Sequence, residues 1–178
     1  MANTNDPNGF TPAYHMTGGT IRPAQMRIAS ATNASIFSGD VVNLSSGYII
    51  QGTATGAPIG VFAGVYYDAT DGTPTFSKHW TADVATLGSA DAKAYVYNDP
   101  DIVYTAQFTA GTPAVSFIGN KYTLSTTAGS TSTGRSAEGV TATTSSGVAL
   151  CVGFVDTPSN SIAAYARAYF RFPANPFE

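Results

Sequence analysis

The stretch from residue 36 to residue 67 reads IFSGDVVNLSSGYIIQGTATGAPIGVFAGVYY. It predicts three short strands, at residues 40–44, 48–51 and 59–67. The first two are joined by a tight turn at Gly47, because glycine tolerates the positive φ that a hairpin turn needs. In the third strand, apolar side chains occupy both the odd and the even positions. This pattern is typical of a strand that is covered on both faces, as in a barrel or sandwich.

Further strands follow at fairly even spacing along the chain. They are predicted at residues 25–31, 95–97, 102–108, 120–124, 148–155 and 164–172. Residues 82–94 are the one stretch compatible with a short helix, and Gly88 in its middle disfavours it. About eight to ten short strands with almost no helix predict an all-β fold, a small β-barrel or β-sandwich.

The domain organisation is predicted to be an extended N-terminal arm followed by one β-rich domain. The arm spans residues 1–24, where prolines and glycines prevent a long helix. Its apolar side chains, which we expect to lie on a partner, are Phe10, Tyr14, Met16 and Ile21. The domain spans residues 25–178 and includes a segment rich in Ser, Thr and Gly at residues 125–146, which predicts a long loop.

The composition limits the classes of partner. Charged residues make up 11% of the 178 residues, whereas ordinary soluble domains have roughly 25%, so we expect a surface that contacts other protein. The net charge is −3 and the eight basic residues are scattered, which argues against a nucleic-acid partner. The sequence has no apolar run long enough to span a membrane and no signal-peptide pattern, so we expect synthesis in the cytoplasm and no membrane partner. The lone Cys151 lies in an apolar run and is predicted to be buried and inert.

The residues that usually carry chemistry do not form a recognised pattern. The histidines are His15 and His79, no serine lies in a Gly-x-Ser-x-Gly elbow, and no His or Cys pair has metal-ligand spacing. Residues 68–72 resemble the start of a calcium loop that lacks its later acidic ligand. Asp99 and Asp101 are expected to cap backbone amides in a turn. The sequence therefore predicts no enzyme, no catalytic residue, no metal and no cofactor.

Several motifs occur in an order that resembles one family. They are MANTNDPNGF-TP at the start, Gly39-Asp40-Val41-Val42 with Pro58-Ile59-Gly60-Val61, residues 95–108 with the turn Asn98-Asp99-Pro100-Asp101 and Gln107, Thr133-Gly134-Arg135-Ser136, and Val152-Gly153-Phe154-Val155-Asp156-Thr157-Pro158. In this order they resemble the capsid decoration, or cement, proteins of tailed bacteriophages, especially marine ones. The resemblance implies a non-enzymatic β-rich subunit of the virion. Such a subunit binds the outer surface of the major capsid protein lattice and stabilises the head, as a homo-oligomer with a trimer favoured.

Interface residues are expected in the arm, in the last strand and in the aromatic tail. They are Phe10, Tyr14 and Ile21, then Arg167, Tyr169 and Arg171, and finally Phe177. Tyr and Arg are among the residue types most enriched where interfaces carry binding energy. The alternative for Arg167 and Arg171 is an ordinary solvated face.

Two other functions fit the same sequence. One is a module on the virion surface that binds host glycans, with Trp80 and Tyr66 as the stacking platform, although aromatic residues at strand spacing more often form a core. The other is a structural protein associated with the tail or fibre. The number of copies per particle separates the latter from a decoration protein.

Overall fold

The structure is a computed structural model that describes residues 3–144 and 147–176. The described residues are all-β, as predicted. The strands of the first half are β1 Thr11–His15, β2 Ala24–Ile28, β3 Ile36–Phe37, β4 Val41–Ser45, β5 Tyr48–Gln51, β6 Pro58–Asp68, β7 Pro74–Ser77 and β8 His79–Trp80. Those of the second half are β9 Ala92–Tyr97, β10 Ile102–Ala110, β11 Lys121–Tyr122, β12 Leu124–Ser125, β13 Gly139–Thr141, β14 Ala149–Phe154 and β15 Arg167–Arg171. Short 3-10 turns occur at Leu87–Ser89 and Val115–Phe117, and no helix in the described part is long and apolar enough to cross a membrane.

The strands form two main sheets. The larger sheet has the order β11-β14-β15-β10-β13-β12, and β1 joins it by antiparallel pairing with β10. The second sheet has the order β2-β9-β6-β4-β5, with β7 paired to β6. Its two end strands, β2 and β5, contact each other, so this sheet curls into a nearly closed barrel. The short strands β3 and β8 pair with each other.

Two hydrophobic cores follow from this arrangement. The first core lies between the larger sheet and the wall of the barrel and contains Phe10, Phe108 and Phe170. The second core fills the barrel around Phe62 and Trp80. Each core therefore has its own set of aromatic side chains.

Neighbouring residues in two barrel strands belong to different cores. Val41 lies in the first core and Val42 in the second, and the same division separates Val61 from Phe62. The prediction that residues 59–67 are covered on both faces is therefore confirmed for this part of β6. A bulge follows Phe62, so strict alternation breaks there and Val65 joins Phe62 in the second core.

The N-terminal residues belong to the domain, which contradicts the prediction of a separate arm. Thr11–His15 forms β1 in the larger sheet. Phe10 is only 1% exposed, and its ring centroid lies 5.4 Å from that of Phe172. Ile21 is partly buried and packs against the first core. Proline and glycine excluded a helix here, but they did not exclude pairing with a distant strand.

The segment at residues 125–146 was predicted to be a loop, and part of it is regular structure. Within it, Gly139–Thr141 pairs in parallel with β10 and antiparallel with β12. Ser136 and Glu138 just before this strand are buried. The possible helix at residues 82–94 is also absent from the structure, which has only a single 3-10 turn there before β9 begins.

Candidate interaction surface

The candidate surface is the side of the larger sheet that faces away from the first core. In β15, Ala168 and Phe170 point into that core, so the alternating residues Arg167, Tyr169 and Arg171 point the other way. Thr105 of β10 is paired with Tyr169 and shares this side. We call the surface the outer face and define it by Tyr14, Met16, Thr105, Arg167, Tyr169 and Arg171.

Aromatic and cationic side chains meet on the outer face. The rings of Tyr14 and Tyr169 pack edge to face with their centroids 5.5 Å apart, and Tyr14 remains 45% exposed. Arg171 lies beside this pair, with its Nη1 3.9 Å from the sulfur of Met16. Arg167 is exposed at the other end of β15. The fold therefore brings together four of the seven predicted interface residues.

The other three predicted interface residues are not part of this surface. Phe10 and Ile21 pack on the chain's own first core, because pairing of β1 with β10 draws the N-terminal residues onto the domain. Phe10 is only 1% exposed and is therefore wrong as an anchor for a partner, whereas the role of the partly buried Ile21 stays a prediction. Phe177 lies outside the described residues.

The predicted glycan platform does not exist as a surface. Trp80 is 0% exposed and lies inside the barrel, where its ring contacts that of Tyr67. A ring that is fully enclosed cannot stack on a sugar, so the prediction is wrong for Trp80. Tyr66 is partly buried, and its hydroxyl donates a hydrogen bond to Asp68. The exposed aromatic side chain of the barrel is instead Phe76, which is 67% exposed.

Three segments that are far apart in sequence meet beside the outer face. We call this meeting point the junction and define it as residues 8–10, 38–40 and 134–138. The Gly9 amide donates to the Glu138 carbonyl at 3.2 Å, and the Ser136 amide donates to the Ser38 carbonyl at 3.0 Å. Gly9 has a φ of +71°, and a Cβ there would lie 2.6 Å from the Gly39 carbonyl oxygen, so a larger residue does not fit.

Two carboxyl groups are enclosed next to the junction. Asp40 and Glu138 are both 0% exposed. Asp40 Oδ2 accepts a hydrogen bond from the Phe37 amide at 2.7 Å, and Glu138 Oε2 accepts one from the Val41 amide at 2.8 Å. Burial raises the pKa of Asp40 to about 6. Burial and the neighbouring Asp40 raise the pKa of Glu138 to about 9, so Glu138 is protonated at neutral pH and is closed off from solvent.

The one group of possible metal ligands in residues 3–144 and 147–176 is His15 with Asp99 and Asp101. His15 Nδ1 accepts a hydrogen bond from the Gly19 amide at 3.1 Å. His15 Nε2 lies 3.1 Å from Asp99 Oδ2, so both ring nitrogens face polar partners within the chain. Asp99 Oδ1 accepts from the Asp101 amide, and this bond and that to His15 lower the pKa of Asp99. The prediction that Asp99 caps a turn is confirmed.

Sequence reasoning missed two basic residues close to the outer face. Arg135 is an exposed residue of the junction, and Lys78 is exposed near it. A Cβ placed on Gly134 would lie 2.8 Å from the Cβ of Lys78. In the sequence, the motif Thr133-Gly134-Arg135-Ser136 contributes only to the family resemblance. No periodicity in that Ser/Thr-rich segment indicates which side chains point outward.

Comparison with protein-family models, with curated proteins and with solved structures finds no match to this chain. The basis for a functional proposal is therefore the chain's own motifs together with the geometry of the outer face.

Proposed function

We propose that this chain is a capsid decoration protein. It binds the outer surface of the major capsid protein lattice of a tailed bacteriophage and stabilises the head. It is made in the host cytoplasm and acts in the virion. It carries out no enzymatic step and uses no cofactor, and its partners are capsid protein and copies of itself, with a trimer favoured.

The observation that carries this proposal is the composition and rigidity of the outer face. Tyr14 and Tyr169 come from different strands and already pack together, with Arg171 and Met16 beside them. Tyr14, Tyr169 and Arg171 lie on strands of a seven-stranded sheet, so little backbone conformational entropy remains to be lost on binding. Tyrosine and arginine on a rigid support are typical of the residues that carry binding energy at protein interfaces.

The ordered motifs supply the second support. They extend from the first residues to Pro158, and in this order they resemble the decoration family. The low charged fraction, 11% of the chain, is typical of a surface that contacts protein. A cement protein acts by burying surface at the seams of the lattice, and each specific contact needs on the order of 1,000 Å² of buried area. Many equivalent copies then multiply a modest free energy per site.

Binding to heads that lack the protein tests the proposal. The double variant Tyr14→Ala, Tyr169→Ala is expected to bind at least about tenfold more weakly, a loss of about 1.4 kcal/mol. Leu44→Ala is the matched control, because Leu44 is as exposed as Tyr14, at 46% against 45%, but lies on the barrel strand β4. This variant is expected to bind normally. Wild-type protein that does not bind heads would refute the proposal.

The number of copies per virion distinguishes a decoration protein from the alternative, a tail or fibre protein. Cryo-electron microscopy of virions, with quantitative mass spectrometry, is expected to find the protein on the head in hundreds of copies. A few copies per particle would identify a tail or fibre component instead.

A further inference from the structure

Two clefts flank the N-terminal segment where it crosses from the larger sheet to the barrel. The first has a volume of about 320 Å³ and lies on the outer side of the sheet, with Asp6 and Thr105 in its lining. The second has a volume of about 460 Å³ and lies between β1 and the barrel, over Val61, Phe76 and Tyr97. Both clefts share the lining residues Asn8, Thr11 and Arg135, so they adjoin each other at these residues.

The two clefts concentrate positive charge in an acidic protein. Arg135 and Arg167 line the first cleft, and Arg135 and Lys78 line the second. All three side chains belong to exposed residues, and the ion pairs of the described residues, His15 with Asp99 and Arg27 with Asp91, do not involve them. Asp6 is the one carboxylate in the two linings. Three cations and one carboxylate give a local charge of +2, whereas the whole chain carries −3.

Hydrogen bonds fix the backbones of both arginines that line the first cleft. The carbonyl of Arg135 accepts a hydrogen bond from the Ser130 amide at 2.9 Å, and the residues adjacent to Arg135 are bonded to Ser38. The Asn160 side chain bonds both the amide and the carbonyl of Arg167, at 2.7 Å and 2.9 Å. Only side-chain freedom remains to be lost when a ligand binds.

We propose that these clefts bind an extended, carboxylate-bearing peptide segment of a partner protein. Arg135 and Arg167 each have the planar guanidinium that pairs with a carboxylate through two hydrogen bonds. Lys78 adds a third cation, and the apolar floor of the second cleft accommodates an apolar side chain of the same segment. A nucleic acid fits less well, because Asp6 lies in the path and three cations neutralise few phosphates.

This inference adds a contact to the proposed function and rests on it only for the identity of the partner. In a decoration protein the acidic segment belongs to the capsid lattice. The contact lies next to the outer face, since Arg167 belongs to both. Binding of a carboxylate-bearing segment does not itself require that the partner is a capsid protein.

A titration with a defined peptide tests the clefts directly. The probe is an eight-residue peptide of alternating Glu and Ser with blocked ends, and the neutral control replaces Glu by Gln. In proton–nitrogen NMR spectra we expect the Glu peptide to move the amide signals of Asn8, Gly9 and Gly134. The double variant Arg135→Ala, Arg167→Ala is expected to bind at least about fivefold more weakly. Arg27→Ala, on the barrel strand β2, is the matched control and is expected to bind as wild type.

Three outcomes would overturn the inference. One is that the neutral peptide moves the same amides equally. Another is that Arg27→Ala weakens binding as much as the double variant, which would indicate unspecific charge attraction. The third is that a sulfated tetrasaccharide binds these amides more tightly than the Glu peptide, which would assign the clefts to an anionic glycan.

The capsid assay keeps this inference separate from the proposed function. If Arg135→Ala, Arg167→Ala binds heads normally and the Glu peptide does not bind, the inferred binding of an acidic segment in the clefts is wrong, while the decoration function still holds. If wild-type protein binds the peptide but no heads, the proposed function is wrong, while the inferred binding in the clefts still holds.

Discussion

Asp40 and Glu138 are two acidic residues that the fold places in its interior. Neither forms an ion pair within the described ranges, and Asp40 Oδ1 and Glu138 Oε1 are buried without a hydrogen-bond partner among the described residues. Two buried negative charges at one place are unfavourable, so one carboxyl group keeps its proton. With a pKa of about 9, Glu138 is that group.

The first prediction is that the free energy of unfolding falls as the pH rises. The folded-state pKa values, about 6 for Asp40 and about 9 for Glu138, lie above the ordinary values of 3.8 and 4.5. The unfolded chain therefore releases these protons at lower pH than the folded chain does. The stabilisation is complete below about pH 4 and is lost as the pH rises through about 6 and then about 9. Urea denaturation at a series of pH values measures it.

A variant identifies the group responsible. Glu138→Gln keeps an oxygen for the Val41 amide but cannot ionise, so the fall in stability between about pH 7 and pH 9 is expected to flatten. Asp91→Asn is the control, since Asp91 is an acidic residue whose partner Arg27 is largely exposed. A wild-type protein whose stability increases with pH over this range would contradict the prediction.

The N-terminal segment shows how one buried side chain fixes an irregular element. Gln107 Nε2 donates hydrogen bonds to the carbonyls of Thr4 and Tyr165, and its Oε1 accepts from the Asp6 amide. Gln107 is only 4% exposed, so these hydrogen bonds are largely shielded from solvent. Residues that lead into β1 are thereby part of the domain.

The second prediction compares two aromatic residues of this element. Phe10→Ala is expected to lower the free energy of unfolding by about 3–5 kcal/mol, because it leaves a cavity in the first core. Tyr14→Ala, four residues later on the exposed side, is expected to cost less than about 1 kcal/mol. Chemical denaturation of both variants measures the difference, and similar losses would contradict the placement of Phe10.

Local patterns predicted the elements that depend on local geometry. The hairpin of β4 and β5 matches its prediction to within one residue at each end, because Ser46 and Gly47 both adopt positive φ, at 50° and 86°, as a two-residue hairpin turn requires. The alternation at residues 164–172 likewise predicted which side of β15 faces outward. That alternation is the reason that Tyr169 and both arginines could be proposed as surface residues from sequence.

Pairings between distant segments leave no local sequence pattern from which they could be predicted. Thr11 pairs with Thr105, and nothing in the composition of either segment specifies the other. In β13 only Val140 is a large apolar residue, so the Ser/Thr-rich sequence around it concealed a strand. Burial of Trp80 and exposure of Arg135 depend in the same way on which strands close the barrel and which loop covers the junction.

At the scale of the whole molecule, the two cores share their dividing wall. Val41 and Val42 of β4, and Val61 and Phe62 of β6, contribute to opposite sides of that wall. Loss of either core removes the support for strands that the other core needs. The larger sheet and the barrel are therefore not independent units.

The third prediction is that the molecule unfolds in one cooperative transition. Fluorescence of Trp80 reports on the second core, and the NMR signals of the Val140 methyl groups report on the first. Both signals are expected to have the same midpoint in urea, as two-state unfolding requires. Separate midpoints would show that the barrel and the larger sheet unfold independently.

The junction also limits how the chain reaches its native state. Gly9 bonds to Glu138, and Phe10 packs on Phe172, so the N-terminal residues find their places only after the late strands have formed. Chains dominated by such long-range contacts fold in roughly milliseconds to seconds, far more slowly than helical bundles. During synthesis, the strands that pair with β1 and cover Phe10 are made later than β1. We therefore expect Phe10 to stay exposed until β10 and β15 are available. Stopped-flow refolding followed by Trp80 fluorescence is expected to show this slow rate, and loss of the whole signal change within the mixing dead time would contradict it.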